Sequence, residues 1–91
     1  ALQPETIALR RAIHEEPEIG LDNPKTLAKV KAALAGLPLT LKEGRSCTGM
    51  VAVLEGGKPG RTVLLRGDMD ALPMPEDTAL DFRSKIKGAM H

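Results

Sequence analysis

Two uninterrupted apolar runs constrain this chain more than any other feature. They are Met50–Leu54 and Val63–Leu65, and a stretch rich in glycine and proline, residues 56–60, lies between them. Unbroken apolar runs of this length are typical of strands that are covered on both faces. We therefore predict two strands that form an antiparallel hairpin. We also expect more protein to cover this sheet than the chain itself provides.

The part of the chain before these runs has a helical period. Apolar residues recur at spacings of three and four, and both Pro4 and the pair Asn23-Pro24 are signals that begin helices. The sequence therefore predicts helices over residues 4–16 and 24–35. Asn23 is the expected N-cap of the second helix, because its side chain is a favoured acceptor for the first free N–H groups.

Residues 39–43 then alternate between apolar and polar, as a half-buried strand does. The order is two helices followed by about three strands. The predicted fold class is therefore α/β, with layers of helix and sheet. No linker or repeat divides residues 1–91, so we expect one domain.

The composition argues against several classes of partner. Thirteen basic and twelve acidic residues give a net charge of +1, and Phe82 is the single aromatic residue. This balance predicts no binding to nucleic acid or to an anionic membrane, and it leaves no stacking surface for single strands. The single cysteine, Cys47, cannot form an internal disulfide, which favours a reducing, cytoplasmic location.

Two carboxylates follow the second apolar run, at Asp68 and Asp70. Ligand sites in α/β sheets tend to lie at the carboxyl ends of strands. Two acids at i and i+2 can face one cation once the strand gives way to a loop, and carboxylates also orient ligating histidines. The alternative is a solvated acid pair that caps a turn before Pro73. Arg66 either binds a substrate carboxylate or forms a surface ion pair, which is the more common outcome.

Two other side chains are candidate functional groups. His14 lies near the end of the first predicted helix among acids, where it could form a catalytic or metal pair. Interaction with the negative end of the helix dipole is the more common role at such a position. Cys47 lies in a loop without a second cysteine or a nearby histidine. The residues alone indicate no more than an acidic metal site.

Several segments, in order, resemble the M20 family of metallopeptidases and amidohydrolases. The resemblance is to the branch of N-acyl-amino-acid amidohydrolases, hippurate hydrolases and auxin-conjugate hydrolases. It is carried by Leu9–Gly20, which is similar to an RRxxHxxPE signature, and by Lys25-Thr26, Thr48–Ala52, Pro59-Gly60, Thr62–Pro73, Glu76–Thr78 and Gly88–His91.

This resemblance implies a catalytic domain of the zinc-peptidase type and a smaller inserted dimerisation domain in a full-length homodimer. In such enzymes two divalent metal ions, of the zinc or manganese class, activate a water that attacks an amide carbonyl. The expected substrates are N-acyl amino acids or small peptides, cleaved to a carboxylate and an amine. Residues 1–91 would be an N-terminal fragment of the catalytic domain, without the second domain and too short to be active or to bind metal alone.

The resemblance also assigns the acids. Other branches have His-x-Asp at this strand end, where the histidine binds metal and the aspartate orients a ligand. Asp70 occupies the orienting position, and Asp68 replaces the histidine. In this branch the pair at Met90-His91 is usually followed by a Cys-Gly-His-Asp segment that supplies ligands. The catalytic candidates are therefore Asp70 and Asp68, and no residue of the chain is assigned as a metal ligand.

Two rival functions remain open from the sequence. The first is a non-catalytic fragment that acts only through packing or association of its exposed sheet. The second, less favoured, is a phosphatase of the haloacid-dehalogenase kind that would use Asp68-Met69-Asp70 as its Asp-x-Asp motif. That motif normally continues into Gly-Thr, whereas Ala71 follows here.

Overall fold

The computed structural model describes residues 2–91 and confirms the α/β class. Its helices agree with the predicted ones to within one residue at each end. The predicted alternating strand is also present, although its residues are exposed. None of the helices in residues 2–91 has the length and apolar character needed to cross a bilayer. The elements are α1 (Gln3–Glu15), α2 (Pro24–Leu34), β1 (Thr40–Glu43) and β2 (Met50–Val53).

Helix α2 begins where the sequence predicted, but a different side chain caps it. Asn23 holds the N-cap position without a capping hydrogen bond, and its amide instead donates to the carbonyl of Gly20 at 2.9 Å. The carboxylate of Glu18 accepts from the Thr26 N–H at 2.6 Å and the Thr26 hydroxyl at 2.8 Å, and from the Lys25 N–H at 3.2 Å. Asn23 is thus the N-cap residue, as predicted, but its side chain does not supply the capping hydrogen bond. An ionised carboxylate from a preceding turn is the stronger acceptor at the positive end of a helix.

Strands β1 and β2 form an antiparallel hairpin whose register runs from Thr40 opposite Val53 to Glu43 opposite Met50. The loop between them, residues 44–49, closes through a hydrogen bond of 2.9 Å from the Gly44 N–H to the carbonyl of Gly49. A Cβ at Gly44 would lie 2.7 Å from the carbonyl oxygen of Cys47. The loop therefore requires glycine at this position.

The predicted hairpin between residues 50–54 and 63–65 is wrong. The first run pairs with β1, and the second belongs to no strand. Val63, Leu64 and Leu65 are 82%, 84% and 91% exposed. The short loop after β1 fixes a hairpin register, whereas the long glycine-rich connection after β2 fixes none. An apolar run that is typical of a doubly covered strand also lacks, in residues 2–91, the neighbours that would cover it.

Little apolar surface is buried among the described residues. The buried hydrophobic side chains are Ala71 and Ala89, and Pro17 is also buried. Main-chain contacts join distant segments instead. Ile19 forms a parallel bridge with Ala71, supported by a hydrogen bond of 2.7 Å from the Ala71 N–H to the carbonyl of Glu18. The turn after α1 is therefore hydrogen-bonded to the segment that follows Asp68 and Asp70.

We expect Glu18→Ala, measured in the full-length protein, to lower the free energy of unfolding by about 1 kcal/mol, because it removes the cap of α2. The matched control is Glu16→Ala. Glu16 contacts Lys29 at 3.6 Å with its side chain 46% exposed, so its loss should change the free energy by less than about 0.5 kcal/mol. Urea unfolding curves check both values. Equal effects of the two changes would contradict the capping role of Glu18.

Candidate active site

Asp68 and Asp70 line the same cleft, which has a volume of about 650 Å³. Its walls come from the connection between the helices, one residue of α2, the end of the β1–β2 loop with the start of β2, and the segment that carries the acids. The sequence therefore identified two residues that the fold places at one concave surface. The lining residues are Gly20, Leu21, Asn23, Val30, Thr48–Met50 and Arg66–Asp70.

Both acids reach one cleft from the same segment of the chain. Residues 66–70 lie in no strand, and Asp68 and Asp70 are two residues apart, a spacing that keeps side chains on one face even of extended backbone. Asp68 pairs with Arg66 at 3.4 Å, and the two side chains are 64% and 78% exposed. This is the surface ion pair that the sequence indicated as the more common outcome. Asp70 is also exposed, one residue before the buried Ala71.

The polar groups of this cleft do not make a metal site by themselves. Within residues 2–91, no three side chains of histidine, cysteine, aspartate or glutamate come together in an arrangement that could hold an ion. The carboxylate of Asp68 is already paired with Arg66. Asn23, which lines the cleft, has a buried Oδ1 with no hydrogen-bond partner among the described residues. The donor set is therefore incomplete, and no chemical step is assigned to a metal.

A second group of polar residues, which the sequence did not predict, surrounds His14. Its Nδ1 lies 2.8 Å from the carbonyl oxygen of His91, and its Nε2 lies 2.8 Å from Oε1 of Glu76. The side chains of His14 and Glu76 are only 13% and 2% exposed. Glu76 also accepts from the Ser84 N–H at 2.7 Å and from the hydroxyl of Thr78. We call His14, Glu76, Thr78, Ser84 and His91 the His14 cluster.

The charge state of this cluster follows from its hydrogen bonds. The hydroxyl of Thr78, the N–H of Ser84 and the His14 ring together lower the pKa of Glu76, against an opposing effect of burial. Glu76 is therefore a carboxylate and can only accept. The carbonyl of His91 can also only accept. Both ring nitrogens of His14 thus face acceptors, the carboxylate of Glu76 and the carbonyl of His91.

The contacts of His14 differ from its predicted role. The sequence favoured an interaction with the dipole of α1, and His14 does lie in the last turn of that helix. Its ring nevertheless binds partners far along the chain and approaches Phe82 edge-on, with 5.9 Å between ring centroids. The guanidinium of Arg11 lies 4.5 Å from the centroid of the Phe82 ring. No local pattern marks Glu76 or His91 as partners, because they lie far from His14 in sequence.

A separate cleft of about 730 Å³ lies between α2 and the β1–β2 loop. Its charged residues include Lys31 and Glu43, which pair with each other at 2.6 Å. Cys47 lines it and is exposed, without a second cysteine in the chain. This cleft contains neither Asp68 nor Asp70, the residues that the sequence indicated as catalytic.

We expect acid to destabilise the full-length protein partly through Glu18 and Glu76. Burial raises the pKa of Glu18, but the hydrogen bonds from Thr26 and Lys25 outweigh it, so both glutamates have a pKa below the ordinary 4.5. Each therefore stabilises the fold above pH 4.5, and this stabilisation is lost as the pH falls through the lower folded-state value.

Thermal unfolding between pH 3 and 7 checks this. The melting temperature of the double variant Glu18→Gln, Glu76→Gln should fall less steeply than that of the wild type below about pH 4.5. Melting temperatures that fall equally steeply in both proteins would show that neither carboxylate makes stability depend on pH in this way.

No family model matches the chain. Thermostable carboxypeptidase 1 of Saccharolobus solfataricus is 46% identical over 86 residues, which are 93% of this chain and 22% of that protein. The N-acetyldiaminopimelate deacetylase of Listeria innocua is 42% identical over 90 residues, which are 96% of this chain and 24% of that protein.

The fold has the same kind of relative. The crystal structure of the Bacillus subtilis YXEP protein, described as a dinuclear metal-binding peptidase of the M20 family, matches with a TM-score of 0.88 and 34% identity. The match covers 97% of this chain and 25% of that one. The chain thus spans about a quarter or less of the proteins it resembles, and its sequence and fold match the N-terminal segment of an M20-family amidohydrolase.

Proposed function

We propose that the full-length protein is a metal-dependent amidohydrolase and that this segment supplies one wall of its active site. The observation that supports this most directly is the cleft lined by Asp68 and Asp70 in a chain that resembles carboxypeptidases and deacetylases. The two relatives differ in name but share one kind of reaction. A carboxypeptidase hydrolyses a peptide bond and a deacetylase an acetamide, so both cleave an amide to a carboxylate and an amine. N-acyl amino acids or small peptides are the proposed substrates.

The proposal includes two divalent metal ions in the full-length protein. The structural relative is described as dinuclear, and the acids of the cleft are of the type that binds or supports such ions. Because residues 2–91 hold no complete donor set, the ligands must come from the remaining part of the protein. We propose no direct ligand role for Asp68, whose carboxylate pairs with Arg66.

The register of a short pairing supports a role of Asp70 beside the chain that would follow His91. Leu72 and Met90 form an antiparallel bridge, with hydrogen bonds of 2.8 Å from Leu72 N–H and 3.0 Å from Met90 N–H. In that register His91 lies across from Ala71, and the residue after His91 in a longer chain would come across from Asp70. The family resemblance implies a Cys-Gly-His-Asp segment there. We therefore propose that Asp70 accepts a hydrogen bond from the ring of a ligating histidine and fixes its orientation.

The proposal also includes an oligomeric state and a cellular location. A homodimer is implied by the resemblance, and a cytoplasmic location by the single cysteine. Both stay predictions. Size-exclusion chromatography with light scattering of the full-length protein measures the first, and fractionation of the source cells the second.

We expect Asp70→Asn in the full-length enzyme to lower turnover about 10- to 100-fold, with a loss of metal content, because an amide is a poorer partner for a ligating histidine. The matched control is Asp81→Asn, since Asp81 is exposed and outside the cleft. Steady-state kinetics on an N-acyl amino acid and metal analysis check this. Unchanged turnover and metal content in the Asp70 variant would refute the assignment.

Metal stoichiometry separates the amidohydrolase from a non-catalytic fragment. The full-length protein should bind about two divalent ions per chain, whereas residues 1–91 alone should bind none tightly. Equilibrium dialysis with Zn²⁺ and Mn²⁺ measures both. A full-length protein that binds no ion and hydrolyses no amide would favour the non-catalytic alternative.

A further inference from the structure

We propose that His14 is a positioning residue for the active site, because its ring fixes the main chain at His91, which lies across from Ala71 and next to Asp70. This inference rests on the proposed function. It assigns to His14 a specific task beyond holding the fold together. The task belongs to one of its two ring nitrogens, Nδ1, which donates to the carbonyl of His91.

The ring is held rigidly enough for such a task. Its Nε2 donates to Glu76, whose carboxylate is fixed in turn by the Ser84 N–H and the Thr78 hydroxyl. Both members of the ion pair are largely buried, so water competes weakly for these hydrogen bonds. The ring therefore has one anchored nitrogen and one that reaches His91.

The end of α1 and the segment near residue 85 are joined independently of His14. The Lys85 N–H donates to the carbonyl of Glu15 at 2.8 Å, and the Lys85 ammonium lies 3.1 Å from the Glu15 carboxylate. These contacts join the same two parts of the chain without touching His91. Loss of the His14 ring would therefore leave the segments attached while it releases the main chain at His91.

Two contacts on consecutive residues define where the chain leaves this segment. Met90 is held by its bridge to Leu72, and His91 by the ring of His14. In the register of that bridge His91 lies across from Ala71, the residue next to Asp70. Since a displacement of about 1 Å in a catalytic group can lower turnover about 100-fold, release of the His91 carbonyl should affect catalysis more than stability.

The two ring nitrogens can be separated by substitution. The amide nitrogen of asparagine stands close to the place of Nδ1, and that of glutamine close to the place of Nε2. His14→Asn therefore keeps a donor for His91 and loses the one for Glu76. His14→Gln keeps a donor for Glu76 and loses the one for His91. Both variants replace the ring by a neutral amide, so they are matched in charge.

The test compares these variants in the full-length enzyme by kcat, KM and melting temperature. We expect His14→Gln to lose about 100-fold in kcat with KM nearly unchanged, and His14→Asn to retain kcat within about tenfold, although its melting temperature falls at least as far. Glu15→Gln, which weakens the ion pair with Lys85, should retain kcat. If kcat falls equally in both His14 variants, or follows the melting temperature in all three, His14 has only a structural role and the proposal is overturned.

A second readout does not depend on the proposed reaction. Amide hydrogen exchange at Leu72 and Met90, whose N–H groups bond each other's carbonyls, reports the pairing next to His91. We expect faster exchange at both amides in His14→Gln than in His14→Asn. Equal exchange in the two variants would overturn the proposal, even if the wild type proved to have no amidase activity. If the wild type has no amidase activity but exchange is faster in His14→Gln than in His14→Asn, the proposed function alone is refuted.

Discussion

Hydrogen bonds from one short stretch, residues 14–18, join distant segments of the described structure. The ring of His14 contacts Glu76 and the carbonyl of His91, and the carboxylate of Glu18 caps α2. The carbonyl of Glu18 also receives the N–H of Ala71. Such polar contacts matter in this chain because few apolar side chains are buried with them.

This arrangement explains how an otherwise exposed acid pair has a defined place. Asp70 precedes Ala71, which is buried and bonded to the turn after α1. Asp68 and Asp70, two residues apart, then face the same cleft. The site thus depends on a contact between two distant parts of the chain, and the apolar run before it, residues 63–65, is exposed.

The sequence predicted those features that local chemistry determines. Proline and apolar spacing located both helices, and the end of an apolar run located the acid pair. Local pattern failed where distant groups compete. Glu18 displaced Asn23 as the cap because an ionised carboxylate came within reach of the helix, which no propensity of Asn23 itself reveals. The predicted hairpin was wrong because β2 pairs with β1, to which a shorter loop joins it than to residues 63–65.

The His14 cluster could not be predicted at all from spacing. His14 and Glu76 are separated by 62 residues, and neither has a local partner that points to the other. The resemblance to M20 enzymes marked His14 and Glu18 as parts of one signature without giving a physical reason for it. The structure supplies that reason, because both side chains end in contacts that fix other segments.

A crystal structure of the full-length protein with a divalent metal bound would test the central claim most directly. The distance to measure joins the carboxylate of Asp70 to the nearest ring nitrogen of a metal-ligating histidine. The account predicts a hydrogen bond of about 3 Å, donated by a histidine that follows His91 in the chain. An Asp70 that faces solvent, with the metal ligands in another part of the molecule, would contradict it.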